Sequence, residues 1–193
     1  TDERIKAVSF VGSTPIAEYI YATANANGKR CQALGGAKNH AIVMPDADMD
    51  NAVNQLVGAA FGSSGMRCMA LSVAVAVGDE AADALVEKMT KAMEGLSVGA
   101  FDNPSNDFGP VITRQHQEKV VGYINSAEYQ GAKVVVDGRE PNVTSHPQGF
   151  FVGATLIDNV TADMHSYEAE IFGPVLQVVR VKTMDEAMKL IND

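Results

Sequence analysis

Short apolar runs alternate with longer amphipathic stretches along most of this chain, and this alternation limits the possible folds more than any other feature. The runs Ala7–Val11, 71–77 and Val175–Val181 are mostly apolar, which is typical of buried strands. The stretches 80–93 and 115–129 carry apolar residues at helical spacing. Strands that alternate with helices favour an α/β fold with a largely parallel sheet flanked by helices.

The composition narrows the class of protein. A chain of 193 residues with 46% hydrophobic and 20% charged residues is long enough to bury a core. The net charge of −9, without any Lys/Arg-rich run, argues against a nucleic-acid partner. No stretch approaches the roughly 18 consecutive apolar residues of a membrane helix, so we expect no membrane partner. Two cysteines do not make a disulfide framework, which favours a reducing compartment. We therefore expect the cytoplasm, or the mitochondrial matrix in a eukaryote.

The two ends of the sequence predict an internal piece of a longer protein. The chain begins with Thr1 rather than Met and reaches a strand pattern within a few residues. It stops at Asp193 inside a helical pattern that carries no C-terminal capping signal.

One of the two cysteines lies in a stretch of small residues between a helical pattern and a strand pattern. The sequence Gly62-Ser63-Ser64-Gly65 gives little side-chain cover, and Arg67 directly precedes Cys68. A neighbouring cation either lowers the pKa of a thiol or binds an anionic substrate, so Cys68 is a candidate nucleophile. A small buried apolar residue is the alternative.

Two other segments are candidate ligand sites. The turn Gly12-Ser13-Thr14-Pro15 joins a strand to a helix N-terminus, where anions are favoured, although spacing alone favours a plain well-capped helix. The acidic residues around Glu170 precede an aromatic residue and a Gly-Pro turn, and from a loop they could reach a ligand hydroxyl. The alternative there is a solvated loop with Phe172 in the core. His40 has no second His or Cys at metal spacing, so we predict no metal site.

These segments resemble the aldehyde dehydrogenase superfamily. Residues 8–14 are similar to its phosphate-contacting turn, Gly65-Met66-Arg67-Cys68 to its catalytic cysteine loop, and residues 170–175 to its cofactor-ribose motif. The three occur in the family's order, which makes the match specific. The resemblance implies an α/β catalytic-domain fragment of an aldehyde dehydrogenase. Residues 1–33 would be the remnant of the NAD-binding domain, and residues 34–193 a catalytic domain truncated at its C-terminus.

The resemblance also implies a role for each matching residue, with NAD as cofactor. Cys68 would attack the aldehyde, and its backbone N–H would help hold the oxyanion. Arg67 would pair with a substrate carboxylate. Glu170 would contact the nicotinamide ribose, and Phe172 would lie beside the nicotinamide and the substrate.

The same resemblance places Gly12 and Ser13 at the cofactor pyrophosphate. It also places Leu34 where hydrolytic members carry a general-base Glu, and a slide of one residue places Ala33 there instead. Neither side chain activates water, so the thiol of coenzyme A should take the acyl group. We group Leu34 with the cofactor-binding residues for that reason.

Within the superfamily, residues 36–41, 44–47, 54–62 and 67–72 resemble the CoA-acylating subfamily that oxidises malonate or methylmalonate semialdehyde. The substrate would be a small semialdehyde, with coenzyme A as co-substrate and a homodimer or homotetramer as the assembly. The family's other oxyanion residue and most of its nucleotide-binding sheet lie upstream of Thr1. We therefore expect the 193-residue chain alone to have little dehydrogenase activity.

Three alternatives remain open from the sequence. One is a hydrolytic aldehyde dehydrogenase of another subfamily, and another is an inert folded module. The third is a cysteine hydrolase or acyltransferase, which would need a histidine within hydrogen-bond reach of Cys68. The candidates for that base are His40, His116, His146 and His165.

Overall fold

The structure is a computed structural model, and it describes residues 2–192. The chain divides into two compact units, the first ending at Ala37 and the second beginning at Lys38. The first unit contains β1 (Ala7–Val11), α1 (Thr14–Ala26) and β2 (Arg30–Leu34). The second contains β3 (His40–Val43), α2 (Met49–Phe61), β4 (Val73–Val77), α3 (Asp79–Met93), α4 (Arg114–Tyr129), β5 (Lys133–Val136), β6 (Thr155–Asp158), α5 (His165–Glu168), β7 (Val175–Val181) and α6 (Met184–Asn192).

The first unit is a single β-α-β element. Strands β1 and β2 run parallel, from the pair Ala7–Arg30 to the pair Val11–Leu34. Parallel pairing of neighbouring strands needs a crossover, and α1 supplies it. Gly28, with φ 65°, follows the helix and turns the chain towards β2.

The second unit is a five-stranded sheet in the order β3-β4-β7-β6-β5. Four strands run parallel, and only the edge strand β5 is antiparallel to its neighbour. The predicted α/β fold with a largely parallel sheet is therefore confirmed. All five residues of β4 are buried, because helices cover both faces of the sheet.

Alternate residues of β4 lie in different parts of the core. Val73, Val75 and Val77 pack in one cluster with α4, whereas Ala74 and Ala76 pack in another with α2 and α3. Because side chains of a strand alternate between faces, the helices lie on both sides of the sheet. Among residues 2–192, no helix is long and apolar enough to cross a bilayer.

Capping side chains set the starts of two helices in this unit. Asp48 accepts a hydrogen bond from the Asn51 N–H (3.1 Å), and Thr113 accepts one from the His116 N–H (3.1 Å). The cap on α4 matters for the site, because it fixes the helical turn that carries His116.

One expected strand is shorter in the structure. The run 71–77 enters the sheet only at Val73, because Leu71 and Ser72 still belong to the segment that leaves the cysteine. Within residues 150–160, Thr155–Asp158 forms the strand that pairs in the sheet. Upstream of that strand the backbone bonds to loops instead, such as Gly153 N–H to the Gly138 carbonyl (2.7 Å).

Candidate active site

Cys68 lies in a tight turn between α2 and β4, which we call the cysteine turn (residues 62–70). Ser63 and Ser64 adopt left-handed backbone conformations, with φ of 53° and 58°. L-residues rarely adopt this conformation, so the surroundings must hold it. The Ser64 hydroxyl is buried and donates to the Gly109 carbonyl (2.7 Å), which supplies such a hold.

Gly65 brings the cysteine turn against a second loop, the Phe172 loop (residues 169–174). A Cβ added to Gly65 would lie 2.1 Å from the Gly173 carbonyl oxygen and 3.0 Å from that of Ala60. Its φ of 66° is also left-handed. Only glycine fits there, and its close packing brings two of the motifs recognised in the sequence together in the second unit.

Cys68 and Arg67 both lie on the surface of this unit. Cys68 is a free, exposed thiol, so the alternative of a buried apolar cysteine is wrong. Arg67 Nε donates to the Ser63 hydroxyl (3.0 Å), and its guanidinium lies against Gly62. None of the ion pairs recorded between residues 2 and 192 involves Arg67. The terminal nitrogens of Arg67 are thus available to an anionic ligand.

The Phe172 loop presents its aromatic side chain outward. Phe172 is 36% exposed and has a left-handed φ of 57°, while Ile171 beside it is 4% exposed. Ile171 therefore occupies the core position that the sequence alternative gave to Phe172. His116 Nε2 donates to the Phe172 carbonyl (2.6 Å), and the two rings meet edge to face. This contact holds the strained residue from α4.

Lys38 is hydrogen-bonded to the segment that leads into the Phe172 loop. Its Nζ donates to the carbonyl oxygens of Ser166 (2.7 Å) and Ala169 (2.8 Å). Burial lowers the pKa of Lys38 to about 8, although the negative charge of Glu170 acts in the opposite direction. Glu170 itself is partly buried.

A polar cluster next to Lys38 lines a cavity of about 800 Å³. His40 Nδ1 donates to the Lys38 carbonyl (2.9 Å), and its Nε2 accepts from the Tyr167 hydroxyl (2.9 Å). Burial lowers the pKa of His40, so its neutral form is favoured, and burial raises the pKa of Tyr167. Met69, one residue from the candidate nucleophile, also lines this cavity.

None of the four histidines, all of them among the described residues, is hydrogen-bonded to Cys68. His40 and His116 use ring nitrogens on the partners given above. His146 contacts Ser145, and His165 packs on Tyr123. A cysteine–histidine pair of the hydrolase type is therefore not formed in residues 2–192. In the same range, no group of three or more His, Cys, Asp or Glu side chains is arranged to hold a metal ion.

The other candidate residues lie in the first unit. Ser13 is the N-cap residue of α1, is exposed and makes no capping bond with its side chain. The Gly12 N–H donates to the Leu34 carbonyl (3.1 Å), which places Leu34 at the same end of the strand pair. Leu34 is 50% exposed. A hydroxyl without a capping bond beside a helix N-terminus suits a phosphate oxygen.

The sequence did not reveal the residues that hold the site together. Lys38, Asn39 and His116 act through hydrogen bonds to backbone carbonyls, some far along the chain. A short motif carries no sign of such partners. The capping Thr113 was the one local signal, because it fixed the start of the helix that bears His116.

Comparison with known proteins identifies the family. The aldehyde dehydrogenase family model matches residues 1–193, and the chain belongs to this family. A malonate-semialdehyde dehydrogenase of Pseudomonas aeruginosa is 60% identical over 189 residues, covering 98% of this chain and 38% of that protein. One from Halalkalibacterium halodurans is 54% identical, covering 97% of this chain and 38% of that protein.

Solved structures agree with the family and the fold. The crystal structure of methylmalonate-semialdehyde dehydrogenase (DddC) from Oceanimonas doudoroffii matches with a TM-score of 0.96 and 79% identity, covering 98% of this chain and 39% of that one. A putative methylmalonate-semialdehyde dehydrogenase from Sinorhizobium meliloti, complexed with NAD, matches with a TM-score of 0.93 and 53% identity, covering 95% and 38%. The chain thus spans about 38% of the length of these relatives.

Proposed function

We propose that this chain is the nucleophile-bearing part of a longer, NAD-dependent, CoA-acylating malonate/methylmalonate-semialdehyde dehydrogenase. The observation that carries the proposal is the exposed Cys68 beside an Arg67 free of ion pairs among residues 2–192. Membership of the aldehyde dehydrogenase family and the names of relatives at 54–60% identity support it.

Cys68 is the nucleophile in this proposal. Its thiolate attacks the aldehyde carbon, and the carbonyl oxygen becomes an oxyanion in a tetrahedral thiohemiacetal. The Cys68 backbone N–H donates to that oxygen. Bound NAD supplies the hydride acceptor, and loss of the hydride leaves a thioester on the sulfur. The sulfur of CoA then releases its proton to solvent and bonds to the acyl carbon. The carbon–sulfur bond to Cys68 breaks, Cys68 leaves as the thiolate, and acyl-CoA is released.

Arg67 orients the substrate by its carboxylate. The side chain is anchored through Nε on Ser63, which leaves the terminal nitrogens for a charge-assisted hydrogen bond. A neutral aldehyde of the same size lacks this contact. We infer that substrate selection rests in part on Arg67.

The residues proposed for the cofactor are assigned in each unit separately. Ser13 and the N–H groups near Gly12 bind the pyrophosphate at the start of α1, Glu170 binds the nicotinamide ribose, and Phe172 packs beside the nicotinamide. Phe172 also borders the substrate.

Leu34 determines which acceptor takes the acyl group. Its isobutyl side chain has no atom that can remove a proton from water, so the thioester persists until CoA arrives. In this proposal residues 1–33 belong to an NAD-binding domain and residues 34–193 to the catalytic domain, whereas the first compact unit continues to Ala37. The full-length protein would be a homodimer or homotetramer of the cytoplasm or, in a eukaryote, of the mitochondrial matrix. The 193-residue chain alone would show little turnover.

The test is NADH formation by the full-length protein, supplied with malonate semialdehyde, NAD and CoA. Cys68→Ser abolishes turnover in this account, since the alcohol is a far weaker nucleophile than a thiolate. Cys31→Ser, which removes the other cysteine from β2, serves as the matched control and keeps wild-type turnover. Substantial activity in Cys68→Ser, or none in the wild type, would refute the proposal.

A further inference from the structure

Asn39 is hydrogen-bonded to the segment that leads from Cys68 into the sheet. The residue lies directly before β3, and its Nδ2 donates to the carbonyl oxygens of Cys68 (2.8 Å) and Ala70 (2.9 Å). Its own backbone carbonyl accepts from the N–H groups of Ser72 (3.0 Å) and Val73 (3.1 Å). One residue therefore makes four hydrogen bonds to the six residues that begin with the candidate nucleophile.

Packing alone does not fix this part of the cysteine turn. Arg67, Cys68 and Met69 are all exposed, and Met69 keeps 82% of its surface accessible. Exposed residues have few neighbours to limit their backbone torsions. Because peptide groups are planar, holding the Cys68 carbonyl fixes the peptide plane that follows the cysteine and with it the torsion ψ of Cys68.

From this geometry we infer that Asn39 is a positioning residue, whose side-chain amide sets the direction in which the Cys68 thiolate attacks. The inference rests on the proposed function, because it concerns the orientation of that nucleophile. Asn39 acts through the cysteine's carbonyl and touches neither substrate nor cofactor in this role.

The side-chain amide of Asn39 can be removed without disturbing strand β3, which begins at the next residue. Strands β3 and β4 pair in register from His40 and Val73 through backbone groups alone. The backbone bonds of Asn39 remain when its side chain is shortened. Asn39→Ala should therefore remove the two bonds to Cys68 and Ala70 and leave the sheet intact.

The first experiment measures the rate of acyl-enzyme formation in the full-length protein. Rapid mixing with saturating NAD and malonate semialdehyde, without CoA, gives a burst of NADH whose rate reports attack and hydride transfer. In Asn39→Ala this rate falls by about tenfold or more, because small misplacements of a nucleophile are costly. Asn142→Ala, an exposed asparagine of the loop before β6, serves as the control and has no effect.

Two readouts separate positioning from general damage. The Kd for NAD and the rate of Cys68 alkylation by iodoacetamide should each change by less than about threefold in Asn39→Ala, since neither requires an aligned attack on the aldehyde. An unchanged burst rate would overturn the inference, and so would a slower burst accompanied by a higher Kd for NAD and a changed alkylation rate. A wild-type protein without any burst would instead overturn the proposed function.

Amide hydrogen exchange tests whether Asn39 orders the cysteine turn, and it requires no measurement of enzyme activity. In the 193-residue chain, Asn39→Ala should speed amide exchange in residues 66–71, while amides in the helices of the second unit keep their protection. Unchanged exchange in residues 66–71 would show that the amide does not order the turn.

Discussion

At the scale of single residues, the site consists of an exposed thiol and a cation without an acidic partner among the described side chains. An ion pair with a carboxylate of the chain would occupy the Arg67 guanidinium, and none is formed among residues 2–192. The Ser63 contact uses Nε, and Gly62 lets the guanidinium lie close to the backbone. Arg67 is therefore held in place and still able to bind a carboxylate.

Arg67→Met should discriminate between two aldehydes. With malonate semialdehyde, kcat/KM should fall by about 10- to 100-fold, which corresponds to a charge-assisted hydrogen bond of roughly 1.5–3 kcal/mol. With propanal, which lacks the carboxylate, the change should be small. Steady-state NADH formation by the full-length protein measures both.

The matched control for this substitution is Arg30→Met, which removes an exposed arginine from β2 in the first unit. It should leave the ratio of the two kcat/KM values unchanged. An equal loss for both aldehydes in Arg67→Met would show that the guanidinium acts on the protein rather than on the carboxylate.

At the scale of elements, the sequence largely predicted the helices and strands, but it did not predict the packing contacts between loops. The sequence Val-Ala-Val-Ala-Val of β4 is apolar throughout because both faces are covered, and that pattern is local. The contact of Gly65 with Gly173 joins residues far apart in the chain, and glycine is common in turns for other reasons. The left-handed pair Ser63 and Ser64 was equally hidden, because serine seldom adopts that conformation.

Gly65→Ala tests the join between the cysteine turn and the Phe172 loop. The added methyl group would overlap the Gly173 carbonyl and adopt an unfavourable φ, so the free energy of unfolding should fall by roughly 2–4 kcal/mol. Urea denaturation of the 193-residue chain measures it.

Gly58→Ala provides the comparison. Gly58 lies in α2 with nothing within 4 Å of an added Cβ, so alanine there should raise the free energy of unfolding by about 0.5–1 kcal/mol. A Gly65→Ala variant as stable as the wild type would mean that the two loops are not in close contact.

Lys38 gives the second unit a pH-dependent stability with a definite sign. Burial lowers the pKa of Lys38 to about 8, below the value of an unfolded lysine near 10.4. Between these values the unfolded chain holds a proton that the folded chain has released. Stability due to Lys38 therefore rises with pH from about 8 to 10.4, and below about 8 the cost of burying the charge is fully present.

The measurement is the free energy of unfolding of the wild type minus that of Lys38→Met, followed from pH 7 to 10.5. The difference should increase by an amount on the order of 2 kcal/mol. Lys88→Met is the control, because the hydrogen bond to Asp50 raises the pKa of Lys88 above its unfolded value. Its contribution is lost only above about pH 10.4, so the corresponding difference should stay nearly flat from about pH 7 to 10. A flat or falling curve for Lys38 would contradict its burial as an ammonium group.

At the scale of the whole molecule, each of the two compact units carries its own set of candidate residues. Gly12, Ser13 and Leu34 belong to the first, and Cys68 with the Phe172 loop to the second. These residues were candidates from the sequence, some from local features and all by family resemblance. The sequence could not show how those of the second unit are held, because the bonds from Asn39, Lys38 and His116 depend on the folded chain.

The most direct test of the account is the dependence of NADH formation on CoA in the full-length protein. Without CoA, the wild type should give a stoichiometric burst of NADH and then nearly stop, and CoA should restore continuous turnover. Leu34→Glu should add slow continuous turnover without CoA, because a carboxylate at that position can activate water. Continuous turnover of the wild type in water alone, as fast as with CoA, would contradict the account.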